Sequence, residues 1–103
     1  MTFNQRVWNL CKRVPKGKVT TYREIGRAMR SKAYRAIGQA LRRNPHAPKV
    51  PCHRVVASDG TIGGFKGCAS GKTINEKIKL LKKEGVIIEG KKIKKFSAKL
   101  HQF

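Results

Sequence analysis

Three capping boxes constrain the fold of this chain more than any other local feature. Thr2, Thr21 and Thr73 each stand three residues before a Gln or Glu, and an apolar pattern with helical spacing follows each of them. In such a box the threonine hydroxyl accepts a hydrogen bond from the backbone amide three residues later, and that residue's side chain accepts one in return. The pattern predicts helices that cover about residues 3–13, begin at residue 22, and begin after residue 73.

A further helical pattern lies between the second and third boxes. Ser31 can cap it, Asn44-Pro45 stops it, and five apolar side chains form one face: Ala33, Ala36, Ile37, Ala40 and Leu41. The opposite face carries Arg35, Gly38, Gln39 and Arg42. The preceding helix has Ile25, Ala28 and Met29 as its predicted inward residues. Together the two helices match a helix-turn-helix, and an ordinary helix pair with a charged exterior is the alternative.

The helix after the third box ends on an unusual charge. Its predicted inward residues are Ile74, Ile78 and Leu81, and its predicted outward residues are Lys77, Lys79, Lys82 and Lys83. Gly85 is the expected C-terminal stop. Glu84, just before it, opposes the helix macrodipole and therefore suggests a specific partner, for which His53 is the candidate. Pairing with nearby surface lysines is the alternative.

Strands are expected to be few and short. Val50 and the pair Val55-Val56 suggest extended segments on either side of a cysteine, and residues 86–88 and 93–96 suggest a hairpin. Residues 97–103 look like a loose tail. The patterns predict one α+β domain, mostly α, over residues 1–103, without a separate N-terminal domain: a winged helix-turn-helix-like fold with a short β-hairpin.

The charge of the chain points to a polyanionic partner. Its 25 Lys and Arg against 5 Asp and Glu give a formal net charge of +20. A domain this basic usually meets nucleic acid. A solvated surface adapted to salt or heat is the alternative, but such surfaces usually carry acids as well. All arginines lie between Arg6 and Arg54, so we expect specific contacts from the first half and diffuse attraction from the later lysines.

The cysteines and the hydropathy favour an intracellular protein without a metal centre. Cys11, Cys52 and Cys68 are odd in number and widely spaced, which argues against a disulfide framework and for a reducing compartment. Scattered histidines make a zinc site unexpected. The chain has no apolar run of membrane-spanning length and no signal-peptide pattern. We expect a cytoplasmic protein, or a nuclear one in a eukaryote.

Cys52 and His53 place a thiol beside an imidazole. Cysteine attacks as the thiolate, which a neighbouring base or positive charge makes more abundant, and His53 and Arg54 offer both. Pro51 keeps the preceding residue out of helix, and the flanking valines favour packed scaffold. An inert core cysteine is the alternative, since a cysteine among valines is usually buried and unreactive.

Several ordered blocks resemble the O6-alkylguanine-DNA alkyltransferase family. The block around the cysteine is Val50-Pro-Cys-His-Arg-Val55, preceded by Asn44-Pro45. The others are Val14-Pro-x-Gly-x-Val-Thr-Thr-Tyr22, Arg35-Ala-Ile-Gly38, Ser58-Asp-Gly60, Gly63-Gly-Phe65 and Leu80-Leu-x-x-Glu-Gly85. The resemblance covers about residues 3–90, and the ordered set is far more specific than any one block.

The resemblance implies a single-turnover DNA repair reaction. The family binds duplex DNA in the minor groove, flips an O6-alkylguanine into a pocket, and moves the alkyl group irreversibly to its cysteine, here Cys52. By matching position, His53 is the base that acts through a water, Glu84 holds its tautomer, and Asn44 fastens the cysteine loop. No cofactor and no metal are implied, and we expect a monomer.

The resemblance also assigns the DNA contacts. Arg35 is the finger that fills the vacated place in the stack, and Tyr22 crowds the 3′ phosphate and then reaches the base. Backbone carbonyls of Cys52 and Val55 accept from the guanine amino group, and the Lys66 amide faces O6. Phe65, where a tyrosine is common, forms a pocket wall. On the outer helix face we expect Gly38, Gln39 and Arg42 to meet DNA.

Two other functions compete with transfer. Short relatives of the family bind alkylated guanine without reacting and recruit other repair factors, but they carry tryptophan or alanine in place of the cysteine. Cys52 therefore favours transfer. A thiol hydrolase using Cys52 and His53 ranks last, because it explains neither the charge nor the Arg35 block. Cys68 stands where the family has glycine, and residues 68–84 form a longer segment than usual.

Overall fold

The computed structural model describes residues 1–45, 49–63 and 72–103. Its helices are α1 (Phe3–Arg13), α2 (Tyr22–Met29), α3 (Tyr34–Arg42), α4 (Lys72–Lys83) and α5 (Phe96–Lys99), with a 3₁₀ turn at Cys52–Arg54. Its strands are β1 (Thr20–Thr21), β2 (Val55–Val56), β3 (Ile88–Glu89) and β4 (Lys92–Ile93). The helix-rich α+β class predicted from the sequence is confirmed. Within these ranges no helix is long and apolar enough to cross a membrane.

Helix α1 begins with the predicted capping box. The Gln5 amide donates to the Thr2 hydroxyl over 3.1 Å, and the Thr2 amide donates to the Gln5 side-chain oxygen over 2.9 Å. The helix buries Val7 and Cys11, so the position expected for Cys11 is confirmed. Its Trp8 indole N–H donates to the Ala40 carbonyl over 2.7 Å and ties α1 to α3.

The helix pair α2–α3 differs from the prediction in which residues are buried and in how α3 begins. Thr21 caps α2 as predicted, accepting from the Glu24 amide over 3.1 Å. Ala28, expected inside, is exposed, whereas Glu24 is buried. Ser31 does not cap α3: its hydroxyl accepts from the Ala33 amide, and the helix begins at Tyr34 without a side-chain cap.

The buried face of α3 is narrower than its apolar pattern. Ile37, Ala40 and Leu41 are buried, but Ala33 and Ala36 are exposed, contrary to the prediction. Alanine side chains are short and neutral in a helix, so an alanine stripe does not by itself require burial. The first turn of α3 therefore reaches past the core and presents its side chains to solvent.

Helix α4 corrects two predictions. It begins at Lys72, so Thr73 lies within the helix rather than capping it. Lys77, expected outside, has none of its surface exposed. The reason is the spacing: Lys77 follows Ile74 by three residues and precedes Leu81 by four, so all three share the inward face. Gly85, with φ +90°, occupies the predicted left-handed stop.

Two short strand pairs complete the fold. β1 and β2 are parallel, with Thr20 opposite Val55 and Thr21 opposite Val56. This pairing sets the start of α2 beside the end of the turn that carries Cys52. β3 and β4 form the predicted antiparallel hairpin, shorter than expected, since Phe96 belongs to α5 instead.

Residues 97–103 do not form the loose tail that the sequence suggested. The Val19 amide donates to the Lys99 carbonyl over 2.9 Å, and the His101 amide donates to the Val19 carbonyl over 2.6 Å. The Thr20 hydroxyl adds a bond to the His101 carbonyl at 3.0 Å. Phe103 packs against the core beneath the Arg13 guanidinium. The segment pairs with the free edge of β1. This contact is non-local, so the composition of the segment does not predict it.

Candidate active site

Cys52 opens the 3₁₀ turn at Cys52–Arg54, between a buried proline and β2. Its amide donates to the Val50 carbonyl over 2.8 Å, and the Arg54 amide donates to the Pro51 carbonyl over 3.0 Å, which closes the turn. Only 6% of Cys52 is exposed, and it belongs to the hydrophobic core. The nucleophile expected from the sequence thus lies on hydrogen-bonded backbone and is almost entirely buried.

Asn44 lies at the contact expected of a loop fastener. Its side-chain amide donates to the Val50 carbonyl over 2.8 Å, from just beyond the end of α3. The bond joins the helix pair directly to the backbone that leads into Cys52.

His53, which is buried, forms one polar cluster with Glu84 and Arg54, which are partly buried. His53 Nε2 lies 3.1 Å from Glu84 Oε2, which confirms the partner expected from the misplaced charge of Glu84. Arg54 was not expected there: its Nε and Nη2 donate to the two Glu84 oxygens at 2.9 and 2.6 Å, and Nη1 donates to the Val14 carbonyl at 2.9 Å. A two-pronged contact of this kind holds a carboxylate in one orientation.

The electrostatics of the cluster favour a neutral imidazole. Burial lowers the pKa of His53, and the hydrogen bond and charge of Glu84 oppose that shift, while Arg54 and Lys77 reinforce it. Burial raises the pKa of Glu84, but hydrogen bonds from Arg54 and His53 outweigh it and leave that pKa lowered. A carboxylate only accepts, so neutral His53 carries its proton on Nε2 and leaves Nδ1 as a base.

Lys77 is the site residue that sequence reasoning missed. Its ammonium donates to the Val55 carbonyl at 2.8 Å and to the Ile62 carbonyl at 2.5 Å. Burial lowers its pKa to about 8, and the negative charge of the Cys52 thiolate opposes that shift. The bond to Val55 places the ammonium against the strand that directly follows the Cys52 turn. The apolar residues three before and four after Lys77 were the signal that its position is inward.

Tyr22 is the first residue of α2 and is partly buried. Burial raises the pKa of its hydroxyl, and the charges of Cys52 and then Cys11 raise it further. The hydroxyl therefore keeps its proton at neutral pH. Burial, followed by the charge of Cys52, raises the pKa of Cys11 to about 12, so that thiol is a protonated core group rather than a second nucleophile.

A cleft of about 450 Å³ lies beside the helix pair, and Tyr22 contributes to its lining. The described residues that line it are Tyr22, Arg23, Tyr34, Arg35 and Ser58. Two residues predicted to contact DNA, Tyr22 and Arg35, thus share one cavity. Gln39 and Arg42 are exposed along α3, and a Cβ added at Gly38 would meet nothing within 4 Å. The outer face of α3 is therefore open to a close approach.

Of the remaining residues singled out in the sequence, the structure describes Val55 but not Phe65, Lys66 or Cys68. Val55 is buried, and its carbonyl, expected to accept from the guanine amino group, already accepts from Lys77. A carbonyl has two lone pairs, so this bond does not by itself exclude a second donor.

The fold and the site define a helix-rich domain with a cysteine–histidine–glutamate cluster behind a helix pair, and comparison with known proteins gives its family. The protein-family model for the 6-O-methylguanine DNA methyltransferase DNA-binding domain matches residues 2–86 of the sequence. A methylated-DNA–protein-cysteine methyltransferase of Candida glabrata is 41% identical over 92 residues, which cover 88% of this chain and 42% of the relative. The chain belongs to this methyltransferase DNA-binding domain family, and it spans about half the length of the curated relatives it matches.

Two solved structures show the same fold. Mycobacterium tuberculosis OGT, in complex with DNA, matches with a TM-score of 0.72 and 39% identity, over 82% of this chain and 50% of that one. S. pombe Atl1, in complex with damaged DNA containing O6-carboxymethylguanine, matches with a TM-score of 0.73 and 34% identity, over 84% of this chain and 79% of that one.

Proposed function

We propose that this protein repairs duplex DNA by moving an alkyl group from O6 of guanine to Sγ of its own Cys52, once per molecule. The observation that carries the proposal is the partly buried cluster in which Glu84 fixes the imidazole next to Cys52 as a neutral base. A nucleophile, a base and an orienting carboxylate in this arrangement are the parts that group transfer to a thiol requires.

The DNA-binding surface is the helix pair. The net charge of +20 supplies non-specific attraction to phosphates. Arg35 and Tyr22 share the cleft, so the side chain that replaces the flipped base lies beside the one that contacts it. The open side of Gly38, with Gln39 and Arg42 exposed on the same helix, suits close contact with the minor groove.

The transfer step balances with groups of this chain and one water. The Cys52 proton passes through the water to Nδ1 of His53. The thiolate then attacks the alkyl carbon in line, the S–C bond forms, and the C–O6 bond breaks with its electron pair left on guanine. The departing guanine takes up a proton as the base is restored, and the protonated Tyr22 hydroxyl lies nearby as a donor. The thioether product is stable, so the protein is consumed.

Lys77 has two roles in this scheme. Its bonds to the Val55 and Ile62 carbonyls hold the backbone on which the guanine amino group is recognised. Its positive charge, shielded from water, stabilises the thiolate while it forms. Neither role needs contact between the ammonium and the substrate, so Lys77 is a positioning residue.

A lesion sensor is the second function that an observation supports. S. pombe Atl1, which shares this fold, was crystallised with damaged DNA containing O6-carboxymethylguanine, and this chain matches most of its length. A sensor would use the same helix pair and cleft without a chemical step. The cluster around Cys52 favours transfer, because binding alone has no need for a buried base and carboxylate beside a thiol.

One experiment separates the two functions. The protein is incubated with a duplex oligonucleotide that contains one O6-methylguanine, followed by intact mass measurement and peptide mapping. Transfer adds one methyl group to Cys52 and none to Cys11 or Cys68. Undamaged duplex and the variant Cys52→Ser are the controls. Tight binding of the lesion without a change of mass would refute transfer and leave the sensor.

A further inference from the structure

Tyr34 is an exposed aromatic side chain on the wall of the cleft. It has 43% of its surface exposed, and it lines the cavity together with Tyr22 and Arg35. It occupies the first position of α3, just before Arg35. The proposed transfer step does not use this ring, although nearly half of its surface is open to solvent.

The ring is held from behind by the backbone of α2. A Cβ added at buried Gly26 would lie 2.7 Å from Cε1 of Tyr34 and 3.3 Å from Cδ1, so one edge of the ring rests directly on that glycine. The Tyr34 amide also donates to the Lys32 carbonyl over 2.8 Å. One edge of the aromatic side chain is therefore packed against α2 before any ligand arrives, which limits the entropy lost on binding.

The surroundings of the ring define the ligand. Arg23 and Arg35 line the same cavity, so a flat apolar surface is combined with two cationic groups. Nucleic acid matches both, because a base or sugar packs on the ring while phosphates meet the guanidinium groups. Successive residues of a helix project roughly 100° apart, so the ring lies beside the Arg35 side chain rather than beneath it.

We propose that Tyr34 is a further DNA-contacting residue, whose ring packs against the nucleotide that flanks the flipped guanine. The inference rests on the proposed function, in which Arg35 fills the vacated position of that guanine. A fixed ring beside Arg35 covers the neighbouring base or its sugar and keeps the opened duplex from closing. Tyr34 thus acts on extrusion of the lesion and not on the attack of Cys52.

Affinity for lesion-containing duplex tests this proposal directly. Binding is measured by fluorescence anisotropy at one fixed salt concentration, with a labelled duplex that contains one O6-methylguanine. Loss of a stacked ring weakens nucleic-acid binding by about tenfold, which is the effect expected for Tyr34→Ala. Tyr34→Phe retains the ring and binds like the parent protein, whereas Tyr34→Leu keeps bulk without the ring and binds like the alanine variant. Ile87→Ala, which removes another exposed apolar side chain outside the cleft lining, is the matched control and leaves the affinity unchanged.

The chemical step supplies the second readout. Benzyl transfer from free O6-benzylguanine needs no DNA, so Tyr34→Ala leaves its rate unchanged while methyl transfer from the duplex slows. Unchanged affinity of Tyr34→Ala, full retention of affinity by Tyr34→Leu, or equal slowing of both reactions would overturn the role of Tyr34. A parent protein that binds the duplex but transfers nothing refutes the proposed chemistry, and the affinities still decide the role of Tyr34. Thermal melting of each variant identifies any loss of affinity that comes from misfolding.

Discussion

Lys77→Met tests whether a charged lysine is buried behind Cys52. In the parent protein the pKa of Lys77 falls from 10.5 to about 8 because burial penalises the ammonium. A fall of that size corresponds to roughly 3 kcal/mol of destabilisation while the lysine is charged in both the folded and unfolded states. Methionine removes this penalty, but it leaves the Val55 and Ile62 carbonyls without the lysine donor, at about 1–3 kcal/mol each. The two effects oppose each other. At pH 7 the free energy of unfolding of the variant should therefore lie between about 1 kcal/mol above and about 3 kcal/mol below that of the parent.

The change of stability with pH tests the buried lysine better than the difference in stability at a single pH. Below pH 8 the folded and unfolded states both hold the Lys77 proton, and the full penalty is present. Between pH 8 and 10.5 the folded state releases that proton first, so the unfolded state binds more protons and the parent gains stability as the pH rises. The gain amounts to about 3 kcal/mol, and Lys77→Met lacks it.

Urea unfolding at pH 7, 9 and 10.5 measures this gap between parent and variant. Taking the difference cancels the groups that both proteins share, such as Cys11, whose raised pKa costs stability over part of the same range. Lys82→Met, at an exposed position of the same helix, should show no such change with pH. Stability curves of parent and Lys77→Met that stay parallel from pH 7 to 10.5 would refute a buried, charged lysine.

Three further predictions follow from named contacts. The rate of methyl transfer should fall as the pH drops through the lowered pKa of His53. Arg54→Gln should raise that pKa and move the fall in rate to higher pH, because the arginine charge that opposes Glu84 is gone. A pH profile of single-turnover rates that Arg54→Gln leaves unmoved contradicts the role of Arg54. Thr21→Ala should cost about 1 kcal/mol by removing the cap of α2, with Thr21→Ser as the conservative control in thermal melts. Deletion of residues 100–103 removes two hydrogen bonds to Val19 and Thr20 and should cost about 1–3 kcal/mol; an unchanged melting temperature would mean that the segment is not docked.

Much of the site was accessible from local sequence. The Thr2 and Thr21 caps were predictable because their hydrogen bonds span only three residues. Cys52 and His53 are neighbours in the chain, so no fold is needed to bring them together. Glu84 was recognisable as a paired acid because its position contradicts the dipole of its own helix. The cysteine block and its companions, being short and ordered, were sufficient for the family.

Other features exist only because distant segments meet. Arg54 fastens Glu84 and the Val14 carbonyl at once, and neither partner is near it in the chain. The last residues pair with the edge of β1 some eighty positions away, although their composition resembles that of a disordered end. Tyr34 projects from a helix whose first turn extends past the core, which its alanine-rich pattern did not reveal.

Lys77 shows most clearly where local reasoning stops. The sequence alone determined the α4 pattern, the thiol–imidazole pair and the sign of the net charge, since each depends on residue type and short spacing. Spacing from Ile74 and Leu81 puts this lysine on the inward face, but tertiary structure alone decided that its charge is tolerated there, because the Val55 and Ile62 carbonyls converge to accept from it. A charge is normally placed outside by its hydration, and only a set of acceptors contributed by other segments reverses that preference.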